Sequence, residues 1–521
     1  MNRHDMLQAC LYSPDLWDVI IIGGGATGLG CAVDAASRGY RTLLVERGDF
    51  GMGTSSRSTK LIHGGLRYLQ QGHIFLVHEA LTERGLLIQN APHLVHRLPF
   101  CIPTYKTWEK PFYSIGIALY DILASGRKLG ASERWSTQET IQRIPTLQSD
   151  RLKGSVVYYD GQFDDARLAI TLAQTAADLG AYVINQMEVI GLVEEHGKIG
   201  GVRLRDRESG QELTQRGKVV INACGVFSDG ICALEEPGIK HIRPSQGVHL
   251  VLDRSFFPSS TAVVIPHTDD GRVLFLIPWH RHVIVGTTDT PVPKIDADPK
   301  PTEEEVSFLL SHAGRYLQKA PTQSDILSCY AGLRPLIKAN RSTADASRRF
   351  ALFTSPKGLV TITGGKWTTY RKMAESAVDQ AIKVGKLPKQ PCTTKGLKLH
   401  GYLASGHASS LDIASCYGTD QYAIDKLTEQ APDLGHLLHP KLPYCPAHVV
   451  WAVRHEMAYH LDDVLARRLR ALLLNVRATL EIAPRVAKIM AKELGKDEAW
   501  EKDELKRFQV ISQRHLYTAR D

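Results

Sequence analysis

DVIIIGGGATGLGCAVDAASRGYRTLLVE, residues 18–46, decides the fold. Asp18 to Ile22 is a short, almost wholly apolar run, the pattern of a strand covered on both faces. The glycine-rich stretch after it reads as the start of a helix. Thr42 to Glu46 reads as a second buried strand, which completes a βαβ unit of about 30 residues. Gly23, Gly25 and Gly28 form GxGxxG at the strand-to-helix turn. Gly23 permits the tight turn, Gly25 lets backbone approach a pyrophosphate, and Gly28 lets helix and strand pack closely. The helix N-terminus then offers unpaired N–H groups and a positive dipole end to phosphates. Glu46 closes the second strand, where a carboxylate accepts from a ribose hydroxyl. The unit reads as a dinucleotide site.

Outward from this unit, strands are predicted at 155–160, 181–195, 199–206 and 218–225, with a helix over 164–180. Short alternating strands from about 242 to 290 predict an antiparallel sheet. A strand at 359–365 and a helix at 368–385 follow, with Gly364-Gly365-Lys366 between them. A helix end and a lysine there suit the negative charge of a reduced flavin, so this second turn favours flavin over nicotinamide. KLPKQPCTTKGLK (386–398) reads as a linker, and the chain beyond it as helices. The fold class is α/β. A Rossmann-like FAD-binding domain occupies 16–84, 150–241 and 341–385. A substrate or cap domain occupies 85–149 and 242–340, and a helical domain 399–521.

The 521 residues carry 63 Lys+Arg and 55 Asp+Glu, a net charge of +8. That fits an anionic substrate, an anionic membrane surface or nucleic acid. Nine cysteines fall in no CxxC pair, so no metal site is expected, and reduced thiols are the simplest reading. The N-terminal segment has no apolar core of a secretory signal, and no apolar run reaches the roughly 18 residues of a membrane span. YSIGIALYDILAS (113–125) reads as a buried helix. Arg467, Arg468 and Arg470 fall on the polar side of a C-terminal helix. Either they pack in a core or they form a basic surface for anionic lipid.

Four separated stretches carry a resemblance: TSSRSTKLIHGGLRYL (54–69), YAGLRPL (330–336), ITGGKWTTYRKMAE (362–375) and AVRHEMAYHLDDVLARR (452–468). They closely resemble, in order and over about residues 16–480, the FAD-dependent glycerol-3-phosphate dehydrogenases. The resemblance implies oxidation of sn-glycerol 3-phosphate to dihydroxyacetone phosphate, with hydride passing from carbon 2 to the flavin. Electrons would go on to ubiquinone or menaquinone. It implies a cytoplasmic protein attached peripherally to the inner face of the membrane, at an anionic surface, with a homodimer left open.

Such a reaction needs a dianion clamp and a base. Arg67, Arg334, Arg348 and Lys366 are the expected clamp, since Arg offers a planar fork and Lys a point charge to phosphate oxygens. In the ASRRFAL stretch the register of Arg348 against Arg349 stays open. His63 and His249 compete as the base, because a histidine suits proton abstraction near neutrality. The motifs further imply FAD contacts from Gly23, Gly25, Gly28, Glu46, Thr54, Ser55, Ser56, Lys60, Leu61, His63, Gly64, Gly65, Val189, Ala223, Gly225, Gly365, Lys366 and Thr368. At 222–229 the sequence departs from the commoner family pattern, with Cys224 for Thr and Phe227 for Trp.

Three other readings compete. A glycerol-3-phosphate oxidase that releases hydrogen peroxide would share the substrate motifs. A flavin-fold nucleic-acid-binding protein is prompted by the charge, but no base-stacking aromatic motif accompanies the basic residues. An amine oxidase would need a pocket for a carboxylate, whereas four cations suit a dianion.

Overall fold

β1 (Trp17–Ile22) is buried along its length and pairs in parallel with β2 (Thr42–Val45) and β10 (Glu212–Asn222). A strand so apolar is stable only when both faces are covered. The computed structural model describes residues 1–12, 16–124, 126–338, 350–404 and 413–517, apart from the side chains at 67, 70 and 414. Among these residues the first sheet runs β17–β18–β10–β1–β2–β7. Here β17 is Phe350–Thr354, β18 is Val360–Gly364 and β7 is Tyr182–Ile184. β8 (Met187–Glu195) and β9 (Lys198–Asp206) join it antiparallel through β10. Helix α1 (Ala26–Ser37) packs against the same core as α5 (Asp165–Asp178) and α6 (Tyr370–Val384). Val19 and Ile21 face these helices, while Ile20 and Ile22 face β8 and β9.

The second sheet runs β15–β11–β14–β13–β12–β4–β6–β3 among the described residues. Its long strands are β4 (Val95–Thr104), β6 (Gly154–Phe163) and β11 (Ile242–Asp253). The shorter ones are β3 (Leu61–Ile62), β12 (Ala262–Ile265), β13 (Leu274–Trp279), β14 (His282–Gly286) and β15 (Thr290–Pro291). β5 (Glu133–Trp135) pairs with β6, and β16 (Ile326–Ile337) pairs with β11. The pairing of β3 with β6 ties the 54–69 stretch to this sheet. After β3 come α2 (Leu66–Gln70), α3 (Ile74–Asn90) and α4 (Glu109–Leu123). The C-terminal helices α7 (Pro446–His455), α8 (Val476–Leu494) and α9 (Glu498–Ser512) share a core with the second sheet.

Several expectations need correction. Residues 181–195 form two strands, because Asn185 and Gln186 break the run. Gln186 adopts φ +52°, and Asn185 Nδ2 donates to the Met457 carbonyl at 2.8 Å. β16 runs through Pro335 to Ile337, since among the described residues it pairs with β11 alone and an edge strand tolerates a missing N–H. The helix expected over 113–125 is buried on one side only, where Tyr113, Ile117 and Tyr120 join the core. α4 exposes Phe112, Ile115, Leu119 and Ile122 along one side. Residues 386–398 do not span a gap. Asn90 Nδ2 donates to the Thr394 carbonyl at 3.1 Å, and Cys392 Sγ lies 3.0 Å from Asp34 Oδ1, so the stretch lies on α1 and α3.

The lipid-facing reading of the three arginines also fails. Arg467, Arg468 and Arg470 are almost completely buried. Arg467 and Arg468 both donate to Asp49, the latter also at 2.9 Å to Oδ1. Arg470 Nη2 donates to Asp165 Oδ1 at 2.8 Å and to the Ser56 carbonyl at 3.0 Å. Buried charges persist where they are paired, and these pair with carboxylates of the dinucleotide domain. Among the described residues no helix is long and apolar enough to cross a membrane.

Candidate active site

The carboxyl ends of β1, β2, β10 and β18 open into one cavity of about 1940 Å³, closed on the far side by β11 and β16. Ligands of open α/β sheets bind at this end of the strands. Gly23, Gly25, Glu46, Thr54, Ser55, Leu61, His63, Gly65, Val189, Ala223, Gly225, Gly365, Lys366 and Thr368 all line it. Gly23 adopts φ +109°, and a Cβ there would come within 2.9 Å of the Ala223 carbonyl. A Cβ on Gly28 would stand 1.9 Å from the Gly23 carbonyl, so Gly28 serves helix-to-turn packing and does not line the cavity. The N-cap of α1 is Gly25, which brings no capping oxygen of its own.

Three further sequence candidates stand behind the wall. Ser56 is buried, its carbonyl accepting from Lys60 Nζ at 2.8 Å. Lys60 itself is fully buried and ion-paired with Asp165 at 2.7 Å, so it holds the loop and does not face a ligand. Burial and the adjacent Arg470 push its ammonium down to about 7. Gly64 donates its N–H to Tyr120 Oη at 2.8 Å, and a Cβ there would collide with Leu81 and the Tyr120 hydroxyl.

Glu46 is anchored by two backbone donors, Gly24 N–H at 2.6 Å and Gly48 N–H at 2.8 Å. Burial nevertheless raises its carboxyl above the usual range. Its oxygens stand at the cavity wall beside Val189, where an adenosine ribose would lie.

Both candidate histidines line the cavity. His63 sits on the strand exit after β3, and burial together with Lys366 and Arg84 lowers it to about 3. It is therefore neutral and able to accept a proton. His249, on β11, is buried and stacks on Tyr330 with ring centres 4.7 Å apart. Its Nε2 lies 2.9 Å from Thr59 Oγ1, and its Nδ1 has no hydrogen-bond partner among the described residues. Burial, then Lys60 and Arg334, lower it well below the usual histidine value.

Of the four expected clamp residues, the cavity brings Arg334 and Lys366 together. Arg334 Nη1 lies 3.1 Å from Asp289 Oδ1, and its Nη2 donates to Thr287 Oγ1 at 3.2 Å. Lys366 Nζ donates to Tyr68 Oη. The backbone of Arg67 is in α2, its side chain lies outside the described residues, and so does Arg348. Sequence reading missed Tyr68, Thr287 and Asp289, all on the cavity wall. Tyr68 was within reach, since it adjoins Arg67 in the 54–69 stretch. Asp289 sits in GTTDT (286–290), which carries no motif of its own.

An FAD fits these residues. The glycine cradle, the anchored Glu46 and the unpartnered His249 Nδ1 are the observations that favour it.

Comparison with known proteins agrees. Residues 18–371 match the FAD dependent oxidoreductase family model, and residues 360–501 match the C-terminal domain of alpha-glycerophosphate oxidase. The chain is 40% identical to the mitochondrial glycerol-3-phosphate dehydrogenase of Mus musculus, over 97% of this chain and 74% of that protein. Against the Homo sapiens enzyme of the same name the identity is 40%, over 94% and 72%. The solved glycerol-3-phosphate dehydrogenase from Bacillus halodurans, complexed with FAD, superposes with a TM-score of 0.80 at 29% identity, covering 99% of both chains. The L-alpha-glycerophosphate oxidase of Mycoplasma pneumoniae shares the fold, with a TM-score of 0.55 at 16% identity over 74% of this chain and 98% of that one.

Proposed function

This chain belongs to the FAD-dependent glycerol-3-phosphate dehydrogenase family, and from that premise we propose that it oxidises sn-glycerol 3-phosphate to dihydroxyacetone phosphate and passes the electrons to a membrane quinone. FAD is the cofactor, and when bound it supplies the acceptor for a hydride from carbon 2 of the substrate. The observation that carries the reading is the meeting of Arg334 and Lys366 with His63 and His249 on the wall of one cavity that begins at the GxGxxG turn.

The residues divide the work. Gly23, Gly25 and Glu46 hold the dinucleotide at the strand ends. Arg334 and Lys366 hold the phosphate, a fork beside a point charge. His63 takes the proton of the secondary hydroxyl as hydride leaves, and His249 is the alternative base. Both are neutral beforehand, so either accepts a proton without first losing one. A bound dianion opposes the influence of Lys366 and Arg334 and raises the base toward neutrality, where general-base catalysis is most effective.

The acceptor reading rests on α4. Its exposed side carries Phe112, Ile115, Leu119 and Ile122, with Trp108 just before it. Lys106 and Lys110 flank its start, and Arg127 and Lys128 follow its end. Exposed apolar side chains with cations near both helix ends suit the interface of an anionic bilayer, so we assign peripheral attachment to the inner face of the cytoplasmic membrane to this helix. Phe112, Ile115 and Leu119 also line the cavity, which gives a lipid-soluble quinone a path inward.

The test is reoxidation. After anaerobic reduction by substrate, ubiquinone or menaquinone analogues should restore the yellow colour much faster than oxygen does. Rapid reoxidation by oxygen with stoichiometric peroxide, and none by quinone, would assign the protein to the oxidases instead.

A further inference from the structure

The cavity continues past the residues assigned to the alcohol. Its wall there is apolar, built from Phe100, Ile102, Val264 and Phe275 of the second sheet and Leu119 of α4. A polar pair interrupts it. Tyr113 of α4 is buried, and its Oη lies 3.2 Å from Nε2 of His267. His267 is about 61% exposed, and its Nε2 lies 3.9 Å from Oε1 of Glu109. Glu109 is buried and fixed through Oε2 by the N–H groups of Tyr105 at 2.8 Å and Lys106 at 3.0 Å. Tyr113 and His267 line the cavity, so the set runs from solvent to an apolar interior. None of these groups lies on the elements that carry His63, Arg334 or Lys366.

We propose that Tyr113 and His267 form a proton-donating site for the carbonyl of a quinone head group bound against this wall. The inference rests on the quinone reading above and names the groups that would serve it. Oxidation of the alcohol gives up a hydride, two electrons and one proton, to the cofactor, and a second proton from the hydroxyl to the base and then to water. Reduction of a quinone to its quinol takes up two electrons and two protons. The hydride equivalent covers the two electrons and one proton. The Tyr113 O–H bond breaks to supply the other as the new quinol O–H forms. His267, whose Nε2 lies 3.2 Å from Tyr113 Oη, returns a proton to Tyr113 from bulk water. Burial, with the Glu109 carboxylate nearby, pushes the Tyr113 hydroxyl up to about 12, so it stands protonated at neutral pH.

The experiment uses the full-length holoenzyme as wild type, Tyr113→Phe and His267→Asn. It measures three rates by stopped flow: anaerobic reduction by glycerol 3-phosphate, reoxidation by a short-chain ubiquinone analogue, and reoxidation by ferricyanide, which takes no proton. A fourth measurement is the Kd of a non-reducible quinone analogue by calorimetry. Expected in both variants is at least tenfold slower quinone reoxidation, with the other two rates unchanged. The Kd should rise about tenfold in Tyr113→Phe, the loss of one hydrogen bond. Added imidazole should restore His267→Asn in part. Quinone reoxidation at the wild-type rate in both variants would overturn the inference and leave the quinone reading standing. Failure of wild type itself to reduce quinone would sink that reading, and this inference with it.

Discussion

Arg334 Nη1 lies 3.1 Å from Asp289 Oδ1, so a cation assigned to substrate phosphate already holds a carboxylate. A dianion must share or displace that partner. Asp289 also accepts from Ser245 Oγ, which keeps it in place when Arg334 turns to a ligand. Replacing Arg334 with Ala should raise the substrate KM at least about 30-fold, the ~2 kcal/mol of a truncated charge pair, while FAD stays bound. Steady-state kinetics with an absorbance spectrum of the purified variant check both halves. An unchanged KM would remove Arg334 from the clamp.

His63→Asn should slow anaerobic reduction by about a hundredfold or more, with substrate binding little changed, as expected for loss of a general base. Rapid-mixing reduction rates over a range of substrate concentration separate the two constants. An unaffected rate at saturation transfers the role to His249, whose own Asn variant then shows the loss.

The acid limb of kcat/KM should follow the substrate. His63 is held near 3 and His249 well below its usual value, so both remain neutral through the mildly acidic range. The phosphate monoester, by contrast, takes up a proton near pH ~6 and becomes a poorer ligand for Arg334 and Lys366. A phosphonate analogue of higher second pKa should therefore move the limb upward. A limb that stays fixed at the same pH for both substrates would contradict the assignment.

Asp165 accepts from Lys60 at 2.7 Å, from Arg470 at 2.8 Å and from the Ser58 backbone N–H at 2.9 Å. It joins the 54–60 loop to the C-terminal helical region. Asp165→Asn leaves two buried cations short of a countercharge and should cost about 3–5 kcal/mol, read as a fall in the thermal midpoint. A midpoint shift within error would show that the cluster is not what fixes the loop.

Two histidines predict loss of stability in alkali. Burial opposes the charge on His400, but Asp178 and Asp420 overcome it and raise the imidazole to about 9. Against the same opposition Glu208 and Glu504 raise His460 to about 10. A raised folded value means that the contribution is complete below the unfolded value of about 6.5 and is lost as pH climbs through 9 and 10. Each pair contributes roughly 1 kcal/mol or less after solvent screening. The thermal midpoint should fall between pH 7 and 10, and His400→Gln should flatten that fall. An equally steep fall in the variant would rule His400 out as a source.

The dinucleotide half of the site is legible in the sequence because its chemistry is local. GxGxxG, the strand before it and Glu46 lie within 30 residues, and backbone geometry fixes their arrangement. The clamp is legible only through resemblance, since Arg334 and Lys366 reach one cavity from two different sheets. Lys60 misled for a physical reason. A lysine inside a polar stretch reads as a ligand contact, yet Asp165, 105 residues away, draws it into the interior. For the arginines at 467, 468 and 470 the sequence leaves core and surface open, because their partners Asp49, Asp164 and Asp165 are remote in sequence. The apolar run of α4 reads as core because such a run does not say which side another element will cover.

The most direct test is a comparison of two alcohols. Purified holoenzyme, held without oxygen, should lose its flavin absorbance with glycerol 3-phosphate and keep it with glycerol at the same concentration. Equal bleaching by both would contradict the account, since no dianion-binding pocket would then stand beside the ring.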